Sequence, residues 1–437
     1  MSYLTTLRVP PEYQDAFGRL RTSEPYTLHD SNFYDDRHTY EWAELATGGG
    51  AVAYTAGFPH VSLTSTGAVS KVVRQSRRYV PYQPGKSYLI LMTGILEMSG
   101  GVAGTVARMG LFDDIADKTV GVTPGNGYFF QLAGTTLSIV QRSGITGVQT
   151  DTVVPQAAWN VDKLDGTGRS GIALNPGFRQ IFFIEMQWLG AGTVCMGVDI
   201  DRKLIICHQF QHANTAGTDA YTNRGSLPVR YEISSSGAGG ASEQRQICST
   251  VISEGGFSLF TPRSRTISAT RGNSVVSVSN TVESPLLSVR LKASRNRATL
   301  APTYLHSLIT TANGSLRINL YRFVSPEAYG AGPLTGPVWV PANASAVATF
   351  TAISVAEVDL SATAVDVTNA VYPCILLMTY YLSTASNQGN YEIHNESVTL
   401  SADIQGRSDW FVVTAQRVRT SAGTEDAVAC LTWTETT

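Results

Sequence analysis

The chain predicts an all-β protein: an N-terminal extended arm followed by two β-sandwich domains of the jelly-roll or lectin-like kind. Three observations carry this. Only 15% of the residues are charged, and Gly, Thr, Ser, Ala and Val dominate over the helix-favouring Glu, Lys and Leu. Short apolar or alternating runs recur between tight turns, at the spacing a sandwich writes into its sequence. The length of 437 residues exceeds the about 250–300 at which a single core stops growing.

Residues 1–50 read as the arm. Pro10-Pro11 and Glu24-Pro25 disfavour helix and extend the residue before them. Phe33, Tyr34, Tyr40 and Trp42 stand among charges, the mixture of a contact surface. Gly48-Gly49-Gly50 then breaks the chain.

Residues 51–233 form the first expected sandwich. Val61 to Thr64 alternates. Pro84-Gly85 marks a type II turn before Ser87 to Leu96, an apolar run expected to be central and buried on both faces. Tyr128 to Leu132 and Thr136 to Gln141 read as a hairpin around Gly134. Gln180 to Leu189 is another buried strand, followed by strands over 193–200 and 203–210. Residues 234–245 begin Ser-Ser-Ser-Gly-Ala-Gly-Gly-Ala-Ser, the composition of a flexible linker. Residues 246–437 resume with ten strand-length runs and form the second sandwich.

Several function classes are disfavoured. A net charge of −2 argues against a general nucleic-acid binder. Cys195, Cys207, Cys248, Cys374 and Cys430 are odd in number, widely spaced and free of CxxC pairs. They read as free thiols in a reducing compartment. No run approaches the about 18 apolar residues of a membrane span, and residues 1–21 lack the pattern of a signal peptide.

Candidate chemistry is sparse. His208 and His212 are four apart, but on a strand that separates them by about 13 Å, too far for one metal. Asp162, Asp165 and Gly166 miss the ligand spacing of a calcium loop and read as an Asx-stabilised turn. Glu97 and Glu185 would mark a glycosidase only if they faced each other. Arg74, Arg77 and Arg78 form a basic cluster expected to meet an acidic patch on another subunit. No nucleophile elbow, P-loop, nucleotide fingerprint or HExxH appears. The expectation is therefore no catalytic residue, no cofactor and no metal: not an enzyme.

One resemblance adds to this. Asp15-Ala16-Phe17-Gly18-Arg19-Leu20-Arg21 carries an "AFGRLR" box, and Tyr82-Gln83-Pro84-Gly85-Lys86-Ser87 an aromatic turn. Trp159-Asn160-Val161-Asp162-Lys163-Leu164-Asp165-Gly166 and His208-Gln209-Phe210-Gln211-His212-Ala213-Asn214 supply two further segments. Over residues 12–235 the chain resembles a family of structural proteins in tailed-bacteriophage particles. The resemblance implies a virion component of the tail, neck or baseplate, assembled in the host cytoplasm. Its expected partners are other virion proteins and copies of itself.

On that reading Phe17, Arg19, Leu20, Arg21 and Tyr26 are the expected partner contacts. Guanidinium forks dock on carboxylates and the aromatics anchor in pockets. The alternative is a carbohydrate-binding adhesin on the particle, with Trp159 and Trp339 stacking on host-surface glycan.

Overall fold

The computed structural model describes residues 23–215, 217–258, 265–270, 274–311, 314–324, 332–342, 354–368, 373–383, 388–393, 398–419 and 423–436. Among them are strands and three short 3₁₀ turns, but no α-helix. The all-β expectation holds, and every strand pairing is antiparallel.

The first sandwich packs an eight-stranded sheet on a seven-stranded one. Tyr88–Ile95 lies between Gln180–Met186 and Ser242–Ser253 in the former. Thr105–Phe112 lies between Gly127–Ala133 and Val229–Ser236 in the latter. Tyr88, Ile90, Met92, Phe130, Phe182 and Tyr231 fill the space between the sheets. Tyr88–Ile95 is central as expected, yet its side chains alternate between buried and half-buried. It therefore turns one face, not both, to the core.

Two boundaries differ from those expected. Residues 23–50 are not an arm. Tyr26–Ser31 pairs with Ser242–Ser253, and Trp42–Thr47 with Val69–Ser76. Phe33 and Trp42 are fully buried, while Tyr34 stays exposed. Their aromatic character serves the core: the Arg74 guanidinium lies 4.8 Å from the Phe33 ring and 5.2 Å from that of Trp42.

Residues 234–245 are not an interdomain linker either. Val229–Ser236 lies in the seven-stranded sheet and Ser242–Ser253 in the eight-stranded one, so the stretch crosses within the first sandwich. Two of its glycines answer to space or backbone angle. A Cβ on Gly239 would meet the Ala103 carbonyl oxygen at 1.8 Å, and Gly237 has φ +84°.

The second sandwich packs a five-stranded sheet on a six-stranded sheet. Leu305, Leu316, Ile318, Phe411, Leu431 and Trp433 form its interior. A smaller cluster of Tyr321, Phe323, Trp410 and Val412 lies on the other face of the six-stranded sheet. Leu334–Thr335, paired with Ala364–Val365, contributes to its cover.

Buried ion pairs join the two sandwiches. Asp113 of the first accepts Lys118 at 2.8 Å and, across the seam, Arg297 at 2.5 Å. Asp409 of the second binds its own Arg322 at 2.6 Å and reaches Arg77 of the first at 3.5 Å. The backbone amides of Thr119 and Val120 donate to the Gln405 carbonyl. Ala43 and Val73 pack with Ile404 beside them. The acidic partner expected on another subunit for Arg77 thus lies in the same chain. Arg74 pairs with Glu44, and Arg78 donates to the Leu28 carbonyl.

Two predictions follow from this seam. Asp409→Asn leaves Arg77 and Arg322, each 11% exposed at the side chain, short of their counter-charge and should cost about 3 kcal/mol in chemical denaturation. The second concerns pH. Burial pushes the His29 pKa down to about 4, with Arg78 adding to the shift, and its Nε2 is buried without a partner among the described residues. A depressed folded-state value means that protonation favours unfolding. This contribution is complete above the unfolded value of about 6.5 and falls away as pH drops toward 4. His29→Gln should flatten the melting temperature between pH 6.5 and 4. The carboxylates act lower. Despite desolvation, Lys118 and Arg297 hold Asp113 well below the usual range, as Arg230 and Arg108 do for Glu232. Their share is lost only as pH falls below about 4.

Candidate functional site

A candidate surface site lies on the outer face of the five-stranded sheet in the second sandwich. It arises from strand alternation. In Thr299–Ile309, Leu305, Ser307 and Ile309 point inward, leaving Tyr304, His306 and Leu308 outside. In Glu425–Thr436, Ala427, Ala429 and Leu431 point inward, leaving Val428, Cys430 and Thr432 on the outer face.

Register then aligns these outward side chains in rows. Thr270 lies opposite Cys430, Cys430 opposite His306, and His306 opposite Asn390. In the next row Ser268 lies opposite Thr432, Thr432 opposite Tyr304, and Tyr304 opposite Glu392. The Ser268 and Thr432 hydroxyls are 2.8 Å apart, and the Tyr304 hydroxyl donates to Glu392 at 3.3 Å. The Tyr304 and His306 rings stand nearly parallel with centroids 6.0 Å apart.

A cavity of about 700 Å³ opens over the first row, lined by His306, Leu308, Gln388, Asn390 and Cys430 among others. It combines the His306 ring with the amides of Gln388 and Asn390 and the hydroxyls of Thr270 and Thr310, while the Tyr304 ring and the Glu392 carboxylate stand in the neighbouring row. Burial raises the Cys430 thiol, which keeps it protonated and unreactive at neutral pH. The arrangement can stack on an apolar ring face while hydrogen-bonding hydroxyls around its edge.

None of the residues proposed from sequence lies there. Phe17, Arg19, Leu20 and Arg21 lie outside the described residues. Tyr26 is 40% exposed, but its ring stacks on Phe257 at 5.5 Å on the first sandwich. Trp159 is 3% exposed, and its indole N–H donates to the Val154 carbonyl. A sugar cannot reach a ring buried in the core, so Trp159 is removed as a stacking platform. Trp339 is half-buried, with the Arg290 guanidinium 4.1 Å above its ring and Trp410 4.9 Å away. Its surface is already occupied. Tyr304 and His306 were missed because ordinary strand alternation is their only sequence signal. Asn390 and Thr432 reach them through pairings that sequence does not state.

The other candidates resolve into scaffold. The carboxylate of Asp162 accepts the amides of Leu164 and Ser170 at 2.9 and 2.7 Å, while Asp165 accepts that of Thr167 at 2.9 Å. The contacts to Leu164 and Thr167 are Asx turns, and that to Ser170 closes a wider loop. His208 Nδ1 accepts the Asn160 amide at 3.3 Å, whereas His212 contacts Gly192 and Gln141 and stacks on Tyr221 at 3.6 Å. Glu97 is buried and receives the amides of Ser99 and Gly101 and the Ser242 hydroxyl. Glu185 lies opposite Leu89, eight residues from Glu97 and roughly 26 Å from it at strand rise. They cannot act as a glycosidase pair, whose carboxyls stand about 5–9.5 Å apart.

Asp114, Asp117 and Glu232 bring their carboxylate oxygens within 4.8 Å of one another. Arg142 pairs with Asp114, Lys71 with Asp117, and Arg230 with both Asp117 and Glu232. Cations of the chain therefore take the place a metal would fill.

No family model matches this chain, and no curated protein matches it. Solved structures do. A Bacillus licheniformis β-glucanase is 10% identical, with 53% of this chain and 99% of that one covered, at a TM-score of 0.31. An endo-β-1,4-glucuronan lyase from Trichoderma reesei is 9% identical over 48% of this chain and 93% of its own, at 0.31. The Emp47p carbohydrate recognition domain is 12% identical over 52% and 95%, at 0.30. The expectation that the chain is not an enzyme does not stand, because polysaccharide-cleaving enzymes are among these neighbours. At such identities and TM-scores none of them assigns a role to any residue here.

Replacing Trp159 by alanine tests the placement of its ring. The truncation should cost about 3–5 kcal/mol in denaturation, as for a buried aromatic. A change below about 0.5 kcal/mol, the scale of a surface substitution, would return Trp159 to the surface.

Proposed function

We propose that this chain is a structural component of a tailed-phage particle, assembled in the host cytoplasm and present in many copies in the tail, neck or baseplate. One observation carries the reading: two separate segments of the resemblance form a single hydrogen-bonded unit. The Asn160 side chain donates to the Gln209 carbonyl at 2.9 Å and accepts the Gln209 amide at 2.9 Å. The amides of Val161 and Asp162 both donate to the Cys207 carbonyl. Residues about 50 apart thus specify one local structure, which supports a shared scaffold over a chance match of words. Repetition around a symmetry axis multiplies weak contacts into stable assembly.

The experiment removes residues 1–22 and stops short of the edge strand Tyr26–Ser31, whose Leu28 is buried. The truncated protein should melt as the full chain does and fail to enter particles. Normal occupancy in particles would overturn the assignment of the contacts to Phe17, Arg19, Leu20 and Arg21. Absence of the full-length chain from purified particles would overturn the virion reading itself.

A second reading concerns the outer face of the second sandwich, favoured by its two rows of hydroxyl, amide and aromatic side chains. On it the protein binds host-surface saccharide at Tyr304, His306 and Asn390. Tyr304→Ala and Asn390→Ala should each abolish a glycan-array signal while changing stability by less than about 1 kcal/mol. Tyr304 is 38% exposed and lies outside the core. An array signal that survives both substitutions would exclude this face.

A further inference from the structure

A second cavity, of about 180 Å³, lies where the two sandwiches meet. Tyr82, Trp188, Asn223, Arg224 and Ser226 line it from the first sandwich, Arg295 and Arg297 from the second. Its electrostatics are unbalanced. Asp113 is the carboxylate acting on Arg224, and it is already bound to Lys118 and Arg297. No ion pair to the side chain of Arg224 or Arg295 occurs among the described residues. Burial lowers the Arg224 pKa, and the charges of Arg297 and Arg295 lower it further against the opposing pull of Asp113. Arg297 is 5% exposed, and its Nε is buried without an acceptor among the described residues.

Charge and shape together define the group that would fit. Arginine forks at the walls of a small cavity suit an oxyanion. The neighbouring rings add a condition that a bare ion does not meet. Tyr82 and Trp188 pack edge to face with centroids 5.5 Å apart. Both are fixed: the Trp188 indole donates to the Thr222 hydroxyl at 2.8 Å, and the Tyr82 hydroxyl accepts the Leu189 amide at 3.1 Å. Ser226 uses its oxygen to accept the Tyr82 amide at 3.0 Å, which leaves its hydroxyl proton to give. The volume is below the roughly 300–1,000 Å³ of sites for drug-sized ligands and suits one ring.

We propose that this seam cavity binds a sugar ring bearing a carboxylate, a uronic acid unit of an acidic polysaccharide. Arg224, Arg295 and Arg297 hold the carboxylate. Tyr82 and Trp188 bound the ring, and Ser226 and Asn223 face its hydroxyls. The proposal is independent of the outer-face reading, since it uses different residues and a charged ligand.

The test is calorimetric titration of the full chain with methyl β-glucuronide, methyl β-glucoside and inorganic phosphate in parallel. Glucuronide should bind at least tenfold more tightly than either control and weaken with added salt. Arg224→Gln and Arg295→Gln, which leave the Asp113–Arg297 pair intact, should each weaken glucuronide binding at least tenfold without shifting the melting temperature. Tyr304→Ala should leave it unchanged. Equal binding of glucoside and glucuronide would overturn the charge assignment, and phosphate binding as tightly as glucuronide would overturn the sugar. No glucuronide binding, or binding indifferent to both arginine substitutions, would overturn the site.

Discussion

Two carboxylates, Asp113 and Asp409, hold the rest of the molecule in place. Each belongs to one sandwich and grips an arginine of the other. Both are fully buried, so desolvation is offset only while every partner stays in position. The geometry is reciprocal. Sliding one sandwich along the other would strip Arg297 from Asp113 and Arg77 from Asp409 together. Asn296 reinforces the seam by donating to the Val120 carbonyl at 3.0 Å. Through these contacts two separate hydrophobic cores, which could otherwise move as beads on a string, share one frame.

The frame places the two candidate surfaces. The seam cavity exists only because Arg295 and Arg297 of one sandwich are brought against Tyr82, Trp188 and Arg224 of the other. The outer face lies elsewhere, on the five-stranded sheet of the second sandwich. Its rows depend on the pairing of Thr299–Ile309 with Glu425–Thr436 and Gln388–Glu392. A one-residue slip there would turn Tyr304 and His306 inward and Leu305 outward.

Much of the fold was legible in the sequence, and much of the candidate site was not. Composition and turn spacing were enough for an all-β chain, because they report local preferences. Position in the fold is a tertiary property, and that is where expectation and structure part. The Ser- and Gly-rich run at 234–245 looked flexible, yet Ala103 leaves no room for a Cβ at Gly239, and Gly237 holds a positive φ. Trp159 beside polar residues looked like a surface ring, but it packs into the core of the first sandwich with its indole N–H on the Val154 carbonyl. Arg74, Arg77 and Arg78 looked like a basic patch for another molecule. Their partners, Glu44, Asp409 and the Leu28 carbonyl, lie from 30 to more than 300 positions away in the same chain. Tyr304, His306 and the arginines of the seam carry no motif at all. Register and domain docking bring them into use.

Calorimetric unfolding of the intact chain tests most directly whether the clamps unite the sandwiches. With Asp113 and Asp409 both engaged at neutral pH, heat absorption should follow a single cooperative peak, with calorimetric and van't Hoff enthalpies in agreement. Two resolved peaks under those conditions would mean that each sandwich melts alone, and the shared frame would have to be given up.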